Sequence, residues 1–127
     1  MGILKLSGKV DYAEIPKLLL ECDTFVMNGT YSKFSETAYP VKHGEYFACN
    51  RHVLISYGPR FSEDFAHLQE AIKYKVDDAE SLAEAIVFRF KNENLAQDIS
   101  QRGYDYAVEN FDSEKQVKKL VELLCKV

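Results

Sequence analysis

Several local motifs that commonly carry chemistry are absent from this sequence of 127 residues. It has no Gly-x-Gly-x-x-Gly and no Walker-type Gly-Lys-Ser/Thr, the glycine-rich segments that cradle phosphates. It also lacks Gly-x-Ser-x-Gly, so a hydrolase built on a nucleophile elbow is not supported. No Asp-x-Asp pair, which could hold a divalent metal ion, occurs. We find no internal repeat, no low-complexity tract and no linker-like stretch.

Long hydrophobic runs and paired cysteines are also missing. The start of the sequence, MGILKLSGKV, contains neither a long apolar run nor a small-residue cleavage site, so we expect neither a signal peptide nor a membrane span. The three cysteines are odd in number and lie far apart in the sequence: Cys22, Cys49 and Cys125. We therefore expect reduced thiols in a cytoplasmic protein.

The composition is that of an ordinary globular domain. Hydrophobic residues make up 46% and charged residues 28% of the chain, which is enough for one domain with its own core. The formal net charge is −4, whereas a general nucleic-acid binder needs a basic face against phosphate. We therefore expect no nucleic-acid partner.

Short apolar runs alternate with helical patterns in the first part of the chain, which predicts an α/β fold with a short parallel sheet of about four strands. The predicted strands are Ile3–Val10, Asp23–Met27, His52–Tyr57 and Ile72–Val76. Between the first two strands, Asp11 and Glu14 form a capping-box pattern, followed at helical spacing by Ile15, Leu18, Leu19 and Cys22. A helix from Pro40 to Asn50 and a short helix around Phe61 to Leu68 separate the other strands.

Three helices are predicted after the last strand. The first is capped by Asp77 and Glu80 and buries Leu82, Ala83, Ile86, Val87 and Phe90. The second begins near Asn94 and carries Leu95, Ile99, Tyr106 and Ala107. The third begins at Asp112 or Ser113, with Gln116 completing a capping box, and buries Val117, Leu120, Val121 and Leu124.

In an open parallel sheet, ligands bind at the carboxyl ends of the strands. Two loops qualify, from Asn28 to Pro40 and from Ser56 to Phe61. The first is longer and leads into a helix whose free N–H groups favour an anion such as a diphosphate. Lys42 and His43 could add positive charge in its first turn, and Glu45 shares a helical face with Val41 and Lys42.

Each of these side chains also has a simpler interpretation. A lone helix glutamate such as Glu45 is usually solvated, and Tyr39 and Tyr46 are more often packing residues than stacking residues. His43, Cys49 and His52 fall within ten residues, but their spacing matches no common zinc motif. Composition and spacing alone predict an α/β domain, and nucleotide binding is the most specific function they allow.

The chain from Val10 to Val127 resembles the C-terminal domain of the large retaining glycosyltransferase family with the GT-B fold. YAEIPKLLLECDTFVM (12–27) is similar to that family's segment "elpelyaaaDvfvlpS", and ETAYPVKHGEYFACNRHVLIS (36–56) is similar to its signature E-G-F-P-x-x-x-x-E-x-x-A-x-G-x-P-V. AESLAEAI (79–86) resembles the "peaLaeaI" helix, and YDYAVENFDSEKQVKKLVEL (104–123) resembles the closing helices. The resemblance is one of order and spacing.

The resemblance implies a nucleotide-binding role for Glu45. It matches the second glutamate of the family's Glu-x7-Glu motif, which binds the ribose of the donor nucleotide. Pro40 lies five residues before it, as in the family. The form Pro-x-Lys-x-x-Glu-Tyr, with Lys42 and Tyr46, recurs in a subgroup, and Val41 and Lys42 belong to the same expected contact segment.

The first glutamate of that motif, which contacts the donor sugar or assists departure of the diphosphate, falls at Thr37 in this chain. Glu36 is adjacent, so either Glu36 takes over this role after a small loop shift or this lineage does without it. Ala38 and Tyr39 occupy the positions whose backbone amides approach the donor. Glu36 and Thr37 are therefore the predicted catalytic pair.

The resemblance implies a Rossmann-like three-layer sandwich, with residues 1–127 forming a single partial GT-B C-terminal domain. Two βα units that open the family's domain are missing, together with an arginine and a lysine that neutralise the donor phosphates. The expected first strand then pairs directly with the next strand, or an exposed sheet edge pairs with a second copy to form a homodimer.

The function implied is transfer of a sugar from a nucleoside-diphosphate sugar, the donor substrate, without a metal or other cofactor. The acceptor, a glycan or a lipid, would be held by an N-terminal domain that this chain lacks, so we expect the isolated chain to be inactive. A cytoplasmic location is expected, with association with the inner membrane face left open. The alternative is a non-catalytic interaction domain that retains the fold without binding the donor; an epimerase of the same fold has no specific support.

Overall fold

The computed structural model describes residues 5–30, 32–33, 37, 41–58 and 60–127, and for residue 61 only the backbone. Within them, three parallel strands form one sheet in the order β1-β2-β3, namely β1 (Thr24–Met27), β2 (His52–Ser56) and β3 (Ile72–Tyr74). All five residues of β2 are buried, because this central strand is covered on both faces. Its apolar run of Val, Leu and Ile is typical of such a strand.

Helices cover both faces of the sheet. A 3₁₀ turn (Tyr12–Glu14) leads into α1 (Ile15–Leu20), and α2 (Lys42–Ala48) connects β1 to β2. Phe47 of α2 packs with the β1 and β2 side chains Phe25 and Val53 on one face. On the other face, α3 (Ala79–Lys91) packs Ala85 against Leu54, Ile72 and Tyr74. The architecture is therefore a three-layer α/β sandwich.

The helix α4 (Glu93–Asn110) passes the amino ends of β2 and β3, opposite the edge where ligands are expected. Nδ1 of His52, at the start of β2, lies 3.2 Å from the Ala96 carbonyl oxygen. Arg102 donates to the carbonyl oxygens of Leu68 and Gln69 just before β3. These contacts hold α4 at the edge of the sheet formed by the amino ends of β2 and β3.

Gly103 allows α4 to approach α2 closely. A Cβ added at this glycine would lie 2.6 Å from Cδ1 of Phe47 and 2.8 Å from the carbonyl oxygen of Glu70. Both distances are shorter than real Cβ contacts, so a residue with any side chain would force the backbone apart.

The predicted first strand is wrong over the residues that the structure describes. Residues 5–10 of the predicted Ile3–Val10 segment form no strand, and the remaining two lie outside the described residues. Gly8 has φ +63°, a left-handed backbone that a continuous strand does not accommodate. The sheet therefore has three described strands instead of four, and the expected pairing of that first strand with the next does not form.

The other elements are confirmed with shifted boundaries. The strands after the first are slightly shorter than predicted, and the short helix near residue 61 is a 3₁₀ segment, Arg60–Asp64. Asn50 closes α2 with φ 51°, as expected. The cap of α3 is Asp78, which accepts a hydrogen bond from the Ser81 backbone at 2.9 Å, whereas Asp77 adopts φ 56°. Asp11 makes no side-chain cap bond.

The last helix, α5 (Ser113–Cys125), begins where predicted but does not bury its apolar face. Asp112 caps it by accepting from the Lys115 backbone N–H. The residues predicted to be buried are instead 52–63% exposed: Val117, Leu120, Val121 and Leu124. No described part of the chain covers them. The same correction applies to Ala83, Val87 and Phe90 of α3, which are exposed.

None of the helices in the described ranges combines the length and the apolar character that crossing a bilayer requires.

Candidate functional site

Three polar side chains meet at the carboxyl ends of the strands. Ser56 and Tyr74 are paired as the last residues of β2 and β3, and Asn28 follows β1 directly. The Tyr74 hydroxyl lies 3.2 Å from both the Met27 carbonyl oxygen and Oδ1 of Asn28, to which it donates. The Gly29 N–H donates to Oγ of Ser56 at 2.8 Å. The exit from β1 into the first candidate loop is therefore tied to both β2 and β3.

The Tyr74 hydroxyl is a hydrogen-bond donor at neutral pH. Desolvation raises the pKa of Tyr74 above its ordinary value, and a hydrogen bond with Ser56 opposes this in part. A phenol with a raised pKa carries its proton at neutral pH and serves as a donor. Its two acceptors on Met27 and Asn28 match that state. The sequence offered one signal for this cluster, a serine ending an otherwise apolar strand, but it did not indicate the partners.

The structure describes the predicted donor-binding segment only in part. Glu36, Ala38, Tyr39 and Pro40 lie outside the described residues. Thr37 is exposed, and its hydroxyl donates to the Lys33 carbonyl oxygen at 3.5 Å. The catalytic roles assigned to Glu36 and Thr37 stay predictions.

The helix after this segment begins at Lys42, with Val41 at the N-cap position. Val41 makes no side-chain cap bond, and both residues are exposed. Glu45 lies in the first turn of α2. A helix that began at Pro40, as predicted, would have placed it in the second turn. The structure thus places Val41, Lys42 and Glu45 together at the beginning of the helix, on the side of the sheet where the β1 loop arrives.

Glu45 lies on the ridge between two clefts. One cleft of about 600 Å³ separates α2 from the α4–α5 junction and is lined by Glu45, Gly44, Ala107 and Phe111 among others. The other, of about 250 Å³, separates α2 from α1 and is lined by Glu45, Ile15, Leu19 and Cys49 among others. Both linings are mainly apolar. In the described part of the chain, no hydrogen bond or ion pair engages the half-buried Glu45 carboxylate.

Two aromatic residues of α2 have packing roles. His43 is 1% exposed, and its ring lies 6.1 Å from that of Phe65 and 6.4 Å from that of Phe111. The prediction that His43 adds positive charge near a ligand is wrong, because its side chain points into the core. Tyr46 stacks on Phe25 with ring centroids 4.4 Å apart, and burial, then the nearby Glu45 charge, raises its pKa.

A lysine of β3, Lys73, contacts the residues that follow β2, and sequence reasoning missed it. The Lys73 ammonium lies 5.1 Å from the ring centroid of Tyr57, and it donates to the Ser62 carbonyl oxygen. Burial lowers the pKa of Lys73, while Glu63 and Glu70 oppose this shift. A lysine inside a short strand was a signal in the sequence, but the prediction treated β3 as apolar. Lys73 holds the loop instead of facing solvent.

The described residues bring together no group of three His, Cys, Asp or Glu side chains that could hold a metal ion. His43 faces aromatic rings, whereas His52 faces Ala96 and Ser100 at the opposite edge of the sheet.

Comparison with protein families gives a match over most of the chain. The family model described as glycosyl transferases group 1 matches residues 4–106. A search of curated proteins found no match.

Several solved structures share the fold. Anabaena Alr3699/HepE, solved in complex with UDP, is 18% identical with a TM-score of 0.79, and the match covers 91% of this chain and 30% of that one. The C-terminal domain of the group 1 protein LpcC from Francisella tularensis is 17% identical with a TM-score of 0.71, over 85% of this chain and 53% of that one. A glycosyltransferase from Rickettsia africae ESF-5 is 18% identical with a TM-score of 0.72, over 89% of this chain and 29% of that one.

These likenesses establish the architecture: a Rossmann-like α/β sandwich of the GT-B type. The chain spans about 30% of the Anabaena protein and about half of the Francisella domain.

Proposed function

We propose that this chain, which belongs to the glycosyl transferases group 1 family, is the part of a glycosyltransferase that binds the nucleotide of a nucleoside-diphosphate sugar. In this proposal the Glu45 carboxylate accepts hydrogen bonds from the ribose hydroxyls. Lys42, at the start of the same helix, faces the diphosphate. The backbone amides of Ala38 and Tyr39 approach the donor, and Pro40 belongs to the same contact segment.

One observation carries the proposal, namely the state of Glu45. The residue is half-buried at the border of two apolar clefts, and its carboxylate takes no partner from the described residues. An ionised carboxylate only accepts hydrogen bonds, so the paired hydroxyl donors of a ribose would match it. The Anabaena protein was solved in complex with UDP, which supports a nucleotide as the ligand.

The chemistry proposed for the complete enzyme is stabilisation of a leaving diphosphate. Negative charge grows on the diphosphate as the glycosidic bond to the donor breaks, and preorganised donors and cations lower the barrier. Here Lys42 is the described cation at the helix start, and Glu36 or Thr37 is the proposed contact to the sugar. We propose that this chemistry uses no metal ion and no other cofactor.

The isolated chain is proposed to be inactive. It spans only about 30% of the Anabaena protein, and Thr37 stands where the family motif has a glutamate. Removal of a single preorganised donor costs about 10²–10³ in kcat, so loss of several such groups together leaves no useful rate. The acceptor, a glycan or lipid, belongs to a part of the enzyme outside this chain.

Nucleotide titration tests the binding role. The purified chain is titrated with UDP, GDP and ADP by calorimetry, alongside the Glu45→Ala and Glu45→Gln variants. A hydrogen bond to a charged group is worth about 1.5–3 kcal/mol, so Glu45→Ala should weaken the preferred nucleotide about 10- to 100-fold.

Glu84→Ala is the matched control, because Glu84 is an exposed glutamate on α3, on the other face of the sheet. It should bind as the wild type does. The proposal is wrong if none of the three nucleotides binds, or if Glu45→Ala binds as tightly as Glu84→Ala.

Transfer assays test the remaining parts. Incubation of the chain with radiolabelled nucleotide-sugars and a mixed glycan and lipid extract should give no transfer, and nucleotide binding should persist in EDTA. Measurable transfer by the isolated chain contradicts its proposed inactivity, and loss of binding in EDTA contradicts metal independence.

A second candidate is a non-catalytic interaction domain, and one observation favours it. The apolar face of α5 is more than half exposed, which is typical of a surface that meets another protein. Absence of nucleotide binding together with a dimeric mass in solution would favour this function over the first.

A further inference from the structure

We infer that Tyr74 and Ser56 are positioning residues that hold the beginning of the donor-binding segment and thereby strengthen nucleotide binding. This inference rests on the proposed function. The segment concerned runs from residue 28 to residue 41, between β1 and α2. Neither side chain is assigned contact with the ligand.

The register of the sheet brings the three polar side chains into one row. Val26, Leu54 and Ile72 are partners across the three strands. Two residues further along each strand, side chains return to the same face. That next row consists of Asn28, Ser56 and Tyr74, at the edge where the donor segment leaves the sheet.

The hydrogen bonds in this row act on the first residues of the segment. Tyr74 holds the Met27 carbonyl oxygen and the Asn28 side chain, both at 3.2 Å, and Ser56 holds the Gly29 N–H at 2.8 Å. Ser56 is 0% and Tyr74 2% exposed, which limits the access of water to the two hydroxyls. Both backbone groups would lose these side-chain partners if the hydroxyls were removed.

The two hydroxyls are themselves held rigidly. The Tyr74 side chain belongs to the apolar cluster with Leu54, Ala85 and Ile99, and the Tyr57 N–H donates to the Tyr74 carbonyl oxygen at 2.7 Å. Holding Asn28 and Gly29 in place before a ligand binds lowers the entropic cost of binding beside them. The row therefore links the packed core to the affinity of the site.

Two variants remove the hydroxyls with little change of volume: Tyr74→Phe and Ser56→Ala. Two controls remove matched hydroxyls elsewhere. Tyr106→Phe alters a partly buried tyrosine that packs on Phe65, and Ser100→Ala alters a buried serine of α4 that contacts His52. The readouts are the Kd for whichever of UDP, GDP and ADP the wild type binds most tightly, and amide exchange across residues 28–30 without ligand.

We expect Tyr74→Phe and Ser56→Ala to weaken the nucleotide about 3- to 10-fold, the range of one lost hydrogen bond, and to speed exchange at Gly29. The controls should lower stability without either effect. If the wild type binds a nucleotide and both variants bind it equally well, the positioning role is wrong but the proposed function stands. The same holds if the controls lose as much affinity as the two variants. If the wild type binds none of the three nucleotides, the proposed function fails and the role of these residues in binding fails with it.

Discussion

The helices α4 and α5 follow each other in the chain and carry similar apolar patterns, yet their surroundings are opposite. The apolar positions of α4 that meet the sheet are at most 4% exposed: Ala96, Ile99 and Ala107. Those of α5 are at least 52% exposed: Val117, Leu120, Val121 and Leu124. Helical periodicity therefore identifies the apolar face of a helix, whereas its burial depends on what lies opposite.

Polar contacts show the same difference. Arg102 and the His52–Ser100 pair join α4 to the loops and strands of the core. The ion pairs at the α4–α5 junction, by contrast, are made by exposed side chains, with Glu109 accepting from Lys115 at 2.8 Å. Exposed pairs of this kind contribute little to stability. We therefore expect substitutions to affect unfolding strongly in α4 and the sheet and weakly in α5.

The largest expected contrast comes from two chemically identical substitutions. Leu54→Ala removes a side chain that is 0% exposed and should lower the free energy of unfolding by about 2–5 kcal/mol. Leu120→Ala, on the exposed face of α5, should lower it by less than about 0.5 kcal/mol. Urea unfolding followed by circular dichroism measures both.

If Leu120→Ala lowers the free energy of unfolding as much as Leu54→Ala does, the two regions do not differ in burial. The α5 face would then be buried in solution, and the dependence of that cost on protein concentration would identify a second copy as the cover.

A glycine pair gives the next contrast. Gly103→Ala should lower the free energy of unfolding by about 1–3 kcal/mol, since its Cβ would meet the Glu70 carbonyl oxygen at 2.8 Å. In Gly44→Ala the nearest atom is Cδ2 of Phe111 at 3.6 Å, so the change should instead stabilise α2 by about 0.5–1 kcal/mol. Thermal unfolding compares the two. Equal effects of the same sign would mean that α4 does not approach α2 as closely as described.

The parts of the fold that sequence predicts well are those where a local pattern determines the outcome. The strand His52–Ser56 is marked by an apolar run, and the end of α2 by Asn50, one of the few residue types that tolerate a left-handed backbone. The segment 5–10 also has apolar residues, but strands require a partner, and Gly8 turns the backbone away. Pairing is not encoded in a local pattern.

The candidate site also contains residues that a local pattern identifies and residues that only the folded sheet brings together. Glu45 was singled out by the resemblance to the family's motif, and the structure puts it in the first turn of α2 instead of the second turn that a start at Pro40 implied; its role in binding stays a prediction. The row formed by Asn28, Ser56 and Tyr74 depends on residues far apart in sequence that only the strand register brings together. The burial of His43 likewise depends on Phe65 and Phe111, which no local pattern links to α2.

Two helix caps provide a smaller contrast. Asp78 accepts from the Ser81 N–H at 2.9 Å, and Asp112 accepts from the Lys115 N–H at 3.0 Å. Asp78→Ala should lower the free energy of global unfolding by about 0.5–2 kcal/mol, because α3 is part of the packed core. Asp112→Ala should reduce helix content without moving the midpoint of global unfolding, since α5 can fray alone.

Amide exchange separates the two cap effects, because fraying of α5 exposes its amides while those of β2 stay protected. A shift of the global midpoint by Asp112→Ala equal to that caused by Asp78→Ala would show that α5 unfolds together with the core.

The smallest expected effect is a dependence of core stability on pH. Nδ1 of His52 lies 2.8 Å from Oγ of Ser100. Burial, then the Arg89 charge, lowers the pKa of His52, while the hydrogen bond with the Ala96 carbonyl, then Asp23 and Glu93, oppose the shift. A histidine with a lowered folded-state pKa takes up its proton first in the unfolded chain. Its contribution to stability is complete above the ordinary histidine pKa of about 6.5 and is lost as the pH falls below it.

The wild type should therefore lose stability between about pH 7 and pH 5, a window above the titration of ordinary carboxylates. His52→Gln, which does not titrate, should lose less over the same window. Burial and the nearby Lys73 also lower the pKa of His67, so His67→Gln serves as the comparison from the opposite edge of the sheet. Because His67 is more exposed than His52, solvent screens its charge, and its variant should follow the wild type more closely. If the stability of the wild type and of His52→Gln depends on pH in the same way, water reaches the contact between α4 and the start of β2. In that case α4 does not belong to the packed core at this point.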